Sequence, residues 1–498
     1  MGFIKRKVKE FFAFKSDREV QNKELVEYAI GVAGQNQAYN IVSNWLMYFC
    51  TDLIGIEPLL IGTVLGVMRV WDAFNDPIVG TIVDRHVFKN GEKLRPFLRI
   101  MAIPVGLLTA MMFIDYRIIG PEWTGVYIIV VYFLWDFFYS FQDLSMWGMT
   151  SMISTHSAER AKAAQFGRIG AMVGGWIPGL IPLMVENLPK FGISEMLIFN
   201  VLGVAMGIGG MLISTMTAKA KERVPVFKPD SKFSDSIKLI FQNRIAMALV
   251  VAAILSNFTL SLQDVYFFKY MVSINLFGLS IDGLNVKFIY GLIVGIPGSA
   301  AMFVATWLAR KMGGMKRTLI IAATLNIVIR VVSYFIGYEG WRIFIVMIVM
   351  GLGGIPNGLN GIATTTIWGD SIDYMEWKTG HRNEGTVFAL QNLVAKIGTG
   401  ISTFTTGLSL HLLDYDTTAA DLNQEYIPGP AFFKYSWMLF ILTPAIGQLL
   451  YLIPLLTIKY SEKQKQEVER ELKLRRAQKA LDEKIEKEAT ILDIDIFR

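Results

Sequence analysis

The chain has 498 residues, of which 53% are hydrophobic and 18% charged, with 44 glycines, 33 phenylalanines and 24 methionines. A water-soluble enzyme of this length does not carry so much apolar side chain, so most of the polypeptide belongs in lipid. The formal net charge of +6 arises from Lys and Arg clustered between apolar segments, a loop pattern and not a nucleic-acid footprint, while Cys50 as the single cysteine excludes an internal disulfide or a Cys-rich metal site.

Residues 1–24 are basic and too polar for the core of a cleavable signal, and they read as a cytoplasmic segment. Phe11, Phe12 and Phe14, interspersed with lysines, either lie on the lipid surface or belong to a solvated tail. About 20 apolar residues span a bilayer. Twelve such segments follow, centred near residues 38, 71, 106, 138, 173, 205, 257, 297, 327, 354, 398 and 445. Basic loops, such as "DRHVFKNGEKLRPFLR" after segment two and "ARKMGGMKR" after segment eight, follow the even-numbered segments, so both termini are predicted to be cytoplasmic in a multi-pass cell (plasma or inner) membrane protein. Each of those two loops sets Gly among basic residues, a faint internal echo.

The longest polar interruption, residues 217–242, divides the segments six and six. The predicted fold is an all-α membrane protein with a six-helix bundle at 25–216, a cytoplasmic central loop, a second six-helix bundle at 243–458 and a cytoplasmic helical tail at 459–498. In the tail, Glu469 with Lys473 and Glu471 with Arg475 have the i,i+4 spacing that supports a helix.

Segment two carries Asp72 and Asp76 with Asn75 between them and Arg69 before them. An aspartate at the centre of a spanning helix costs about 2.5–3.5 kcal/mol, so such residues usually face a cavity and have a function. Carboxylates four residues apart share a helix face, and with Asn75 they gather hard oxygen ligands suited to sodium. Paired carboxylates also suit a proton. The plainer alternative is that Arg69 neutralises Asp72 and that Asp76 caps a break at Pro77. In segment four, Asp136, Ser140, Asp143 and Trp147 form one stripe, a carboxylate, hydroxyl and aromatic combination on which a sugar can bond and stack. Taken alone, a Trp such as Trp147 in a membrane helix more often serves packing or interface anchoring. Arg168 in segment five and Lys396 in segment eleven add cations to the same polar set. The Gly and Pro residues of "GLIVGIPGSA" and "GLGGIPNGLNG" suit either hinges or close helix packing.

"RVWDAFNDPIVG", the Ser140, Asp143 and Trp147 stripe, Arg168, "GDSIDYMEWKTGHRNEG" and "LVAKIG" together resemble the glycoside-pentoside-hexuronide:cation symporter family, melibiose permease-like members of the major facilitator superfamily, over about residues 28–458. The resemblance implies the major facilitator fold and alternating access. It implies a cation site at Asp72, Asn75, Asp76 and Ser140, and a sugar site at or near Asp143, Trp147, Arg168 and Lys396. It further implies a charged cytoplasmic switch at Asp370, Asp373 and Arg382. The chain departs from the pattern at Asn36, where an aspartate is expected in the sugar site, and at Asp136, an additional carboxylate where a small residue is expected.

The expected function is secondary active symport of a glycoside, pentoside or hexuronide. The coupling cation is sodium, with a proton or lithium as alternatives, and no other cofactor is implied. No phosphate-cradling GxxxxGK[ST] loop is present, and no nucleic-acid partner is expected. The alternatives are a sodium-coupled lysolipid carrier of the same superfamily, which leaves the polar stripe poorly explained, and a non-transporting sensor. A membrane enzyme using Asp136 and Asp143 is a further alternative, but no nucleophile and base constellation accompanies them.

Overall fold

A computed structural model of the chain describes residues 19–89, 91–154, 156–223, 243–276, 279–380, 384–417, 428–458, 460–475 and 478. Phe11, Phe12, Phe14, Arg382 and most of the predicted central loop therefore lie outside the described residues. Helices occur at all twelve predicted segments. They are α1 (Asn22–Tyr48), α2 (Pro58–Arg85), α3 (Arg95–Met112), α4 (Pro121–Met152), α5 (Ser157–Gly179) and α6 (Glu195–Lys219). The seventh segment is divided into α7 (Arg244–Asn257) and α8 (Asp264–Met271). The series continues with α9 (Gly283–Met312), α10 (Met315–Ile336), α11 (Arg342–Thr379), α12 (Glu384–Leu412) and α13 (Pro430–Thr457). A short antiparallel ribbon, β1 (Ser273–Leu276) with β2 (Leu279–Asp282), joins α8 to α9 and pairs Ser273 with Asp282. Residues 462–475 form a last helix, α14.

Among the described residues, eight helical stretches are long and apolar enough to cross a membrane on length and composition alone. The helices outside that set include α1 and α2, and the cause is their polar content: Gln35, Asn36 and Asn40 on α1, and Arg69, Asp72, Asn75 and Asp76 on α2. Polar side chains dilute these segments.

Contacts group the chain into two compact units. The first comprises residues 1–229, 260–291 and 399–440. Lipid tails are as apolar as Leu, so helices in a membrane associate mainly by close backbone approach at small residues. α1 and α5 follow this rule. A Cβ added at Gly170 would lie 2.1 Å from the Ala29 carbonyl oxygen, and one at Gly174 would lie 2.3 Å from that of Ala33. The buried Tyr28 hydroxyl then donates to the Met146 carbonyl at 2.9 Å, which ties α1 to α4. Gly170→Ala is therefore expected to force α1 and α5 apart, at a cost of about 1–3 kcal/mol. A thermal unfolding midpoint in detergent equal to that of the wild type would contradict this packing.

The second unit comprises residues 230–259, 292–398 and 441–498. Here the Gly- and Pro-rich stretches of α9 and α11 serve close packing. A Cβ at Gly354 would lie 2.2 Å from the Val294 carbonyl oxygen and one at Gly358 would lie 2.1 Å from that of Gly298, while Pro297 and Pro356 sit inside unbroken helices. The predicted tail helix is docked: Val468 and Leu472 of α14 enter a core with Ile372 and Met375. Trp377 Nε1 donates to Glu471 Oε2 at 2.6 Å. The predicted Glu471 and Arg475 pair is present at 3.3 Å.

Candidate functional site

α2 runs unbroken through Pro77, so Asp76 does not cap a helix break. Its Arg69, Asp72, Asn75 and Asp76 occupy two successive turns. Asp72 is only 5% exposed, Asn75 and Ser140 are also buried, and Asp76 is half-buried. α4 packs along α2 and brings Ser140 between the two buried groups. Asn75 Nδ2 donates to Ser140 Oγ at 3.1 Å, and Ser140 Oγ lies 3.3 Å from Asp72 Oδ1. The same hydroxyl stands 3.1 Å from the Asp136 carbonyl oxygen. A serine has one proton and serves one of these two acceptors at a time. When it turns toward the backbone, its lone pairs join Asp72 and Asn75 as oxygen donors, an arrangement suited to a small hard cation.

Arg69 shares its charge among several partners. Its guanidinium donates to Ser43 Oγ at 3.2 Å and lies 5.9 Å from the Tyr39 ring centroid, within electrostatic reach of Asp72 and Asp136. Asp136 is buried one turn before Ser140. Three carboxylates and one guanidinium thus stand on neighbouring turns of α2 and α4.

One turn beyond Ser140, Asp143 faces α1. Gln35 Nε2 donates to its Oδ1 at 2.8 Å, and the Tyr139 hydroxyl approaches the same oxygen at 3.5 Å. Tyr139 is sandwiched between Trp135, at 4.7 Å and 15°, and Tyr39, at 5.6 Å and 23°. Trp135 is fixed in turn by its Nε1 hydrogen bond to Thr109 Oγ1 at 2.8 Å. Asn36 follows Gln35 and donates to the Val32 carbonyl, with Gly174 of α5 against its Cβ. Trp147 is 37% exposed and its ring borders Gly167 of α5, and Arg168 is exposed. Within the first unit, Asn36 and Asp143 are linked through Gln35, while Trp147 lies against Gly167 of α5.

Lys396 on α12, and Asp370 and Asp373 on α11, belong to the second unit, where all three are half-buried. Lys465 Nζ of α14 lies 2.8 Å from Asp370 Oδ1, so the tail helix engages the predicted switch. Gln35 and Tyr139 were not singled out in the sequence; the signal was there in "GQNQ", a polar run within an apolar segment.

Comparison with known proteins identifies the family. Residues 27–462 match the family described as MFS/sugar transport protein. The isoprimeverose transporter of Lactiplantibacillus pentosus is 27% identical over 78% of this chain and 79% of its own. The raffinose carrier protein of Pediococcus pentosaceus is 24% identical over 84% and 67%. Among solved structures, a D-xylose-proton symporter superposes with a TM-score of 0.56 at 12% identity, covering 86% of this chain and 96% of that one, which shows a shared fold. With buried carboxylates on α2, a polar stripe on α4 and twelve helical segments, the chain belongs to the MFS/sugar transport protein family, as a multi-pass major facilitator of the glycoside-pentoside-hexuronide group.

Proposed function

We propose that the protein is a cation-coupled symporter that imports a sugar or glycoside by alternating access, with sodium as the coupling ion. The observation that carries this reading is the Asn75, Ser140 and Asp72 bridge between α2 and α4. A cation held by Asp72, Asn75, Asp76 and Ser140 bridges the two helices and draws α2 and α4 together. One turn along α4, that steadies Asp143, so the sugar site with Asn36, Trp147 and Arg168 is completed. Lys396 is a further sugar-binding cation. Cation and sugar each raise the affinity for the other, as a coupling free energy requires. With both bound, the two six-helix sets exchange access, and Asp370, Asp373 and Arg382 act as the cytoplasmic switch. The relatives named for isoprimeverose and raffinose support a sugar cargo. The basic loops support a cell-membrane orientation with both termini in the cytoplasm.

The test is uptake of a panel of labelled glycosides, pentosides and hexuronides into proteoliposomes under separate sodium and proton gradients. Accumulation of at least one sugar, driven by one gradient, is expected. A purified protein stabilised by a lysolipid plus sodium, and by no sugar in the panel, would overturn the cargo assignment.

A further inference from the structure

A second charge network occupies the far end of α1 and uses none of the residues assigned above. α1 is prolonged there by a π-helical turn, Phe49–Ile54, which Gly55 ends with a φ of +89°. Within that turn the Asp52 side chain is 3% exposed. It accepts hydrogen bonds from Thr51 Oγ1 at 2.8 Å, from the Tyr415 hydroxyl at 2.8 Å and from the Tyr270 hydroxyl. Lys269 Nζ stands 3.7 Å from Asp52 Oδ1 and 3.5 Å from Glu195 Oε2. It donates to the Tyr48 hydroxyl, which donates to Glu195 Oε2 at 2.9 Å. The ammonium lies 4.8 Å from the Tyr48 ring centroid and 5.4 Å from that of Tyr270.

One cation is therefore held by two carboxylates, a phenol and two aromatic faces, and the burial of Asp52 strengthens its share of those contacts. The sequence origin of the partners is what gives this a function. Asp52 and Tyr48 come from segment one and Glu195 from segment six, whereas Lys269 comes from segment seven. Both of its ion pairs and its hydrogen bond thus join the first six segments to the second six. A carrier that alternates access must part those two sets at one end in every cycle.

We propose that Lys269 is a latch: held by Asp52, Glu195 and Tyr48, it keeps this end of the carrier shut, and the opening step breaks those contacts and hydrates the separated charges. On the orientation proposed above, this end faces outward. The inference rests on the alternating-access reading but on neither the cation nor the sugar assignment. Removing the ammonium takes the cation from the buried Asp52 carboxylate, a costly arrangement that opening relieves by letting water in. The shut state is therefore destabilised more than the open one.

The experiment reads conformation, with no cation gradient and no sugar. Leu60 at the start of α2 and Leu412 at the end of α12 are both exposed, beside the 2.8 Å Glu57 and His411 contact of the same end. Spin labels at Leu60→Cys and Leu412→Cys, with the buried Cys50 changed to Ser, report its opening by pulsed electron resonance distances. Lys269→Gln is expected to raise the ratio of long to short distances about tenfold. Lys269→Arg keeps the cation and should retain the short distance, and Tyr48→Phe should move the ratio in the same direction as Lys269→Gln by less. An unchanged distribution in Lys269→Gln, whether or not its thermal stability falls, would reduce Lys269 to a structural staple and overturn the proposal. Should Lys269→Gln not fold, Tyr48→Phe and Tyr415→Phe decide, and unchanged distances in both would overturn it equally. Absence of sodium coupling in the uptake assay would leave these distances unaffected, so the two readings fail separately.

Discussion

Asp72→Asn is expected to abolish cation-stimulated sugar uptake while leaving a folded protein. The substitution preserves side-chain volume in a position that is 5% exposed, and an amide oxygen still accepts from Ser140, whose Oγ now lies 3.3 Å from Asp72 Oδ1. The amide keeps the contact to Ser140, so the variant should still fold. What is lost is the charged ligand. A contact to a charged group contributes about 1.5–3 kcal/mol, which corresponds to a roughly 10- to 150-fold higher cation concentration for half-maximal stimulation. Asp76→Cys should act in the same direction. Titrating sodium against both sugar uptake and the thermal unfolding midpoint measures this. A half-saturating sodium concentration equal to that of the wild type in either variant would remove that carboxylate from the cation site.

The twelve segments were legible because lipid imposes one rule on the whole chain: a spanning helix needs a sustained apolar run. Polar residues that break such a run were equally legible, since Asp72 and Asp136 in lipid require a reason. Spacing alone placed Asp136, Ser140, Asp143 and Trp147 on one stripe, yet the stripe serves two neighbours. Ser140 turns to α2 and Asp143 to α1, and which helix stands opposite each turn is a matter of tertiary packing. The Gln35 bond to Asp143 was hidden for the same reason, because glutamine at a helix position says nothing about what it meets. The Lys269 network was the least legible. Asp52, Glu195 and Lys269 all sit near segment ends, where charge is ordinary, and only the fold brings the three together.

Asp143→Asn should separate the two halves of the proposed mechanism. The Asp143 carboxylate accepts from Gln35 at 2.8 Å and, through its remaining oxygen lone pairs, can accept from sugar hydroxyls. An asparagine keeps one acceptor for Gln35 but presents an N–H pair where the hydroxyl protons arrive. Two charge-assisted bonds lost at about 1.5–3 kcal/mol each take sugar affinity down by roughly 10²- to 10⁴-fold, beyond a usable uptake assay. The proposed cation ligands Asp72, Asn75 and Ser140 are not altered, so sodium should still raise the unfolding midpoint of the sugar-blind variant. Gln35→Leu tests the support behind the carboxylate. It removes one hydrogen bond to a charged acceptor while Tyr139 keeps its place in the aromatic stack. The expected result is a roughly tenfold rise in half-saturating sugar concentration, with the maximal rate and sodium dependence unchanged. Equal loss of sodium and sugar responses in Asp143→Asn would mean that one shared site binds both, and the step from cation binding on α2 to sugar capture on α4 would have to be abandoned.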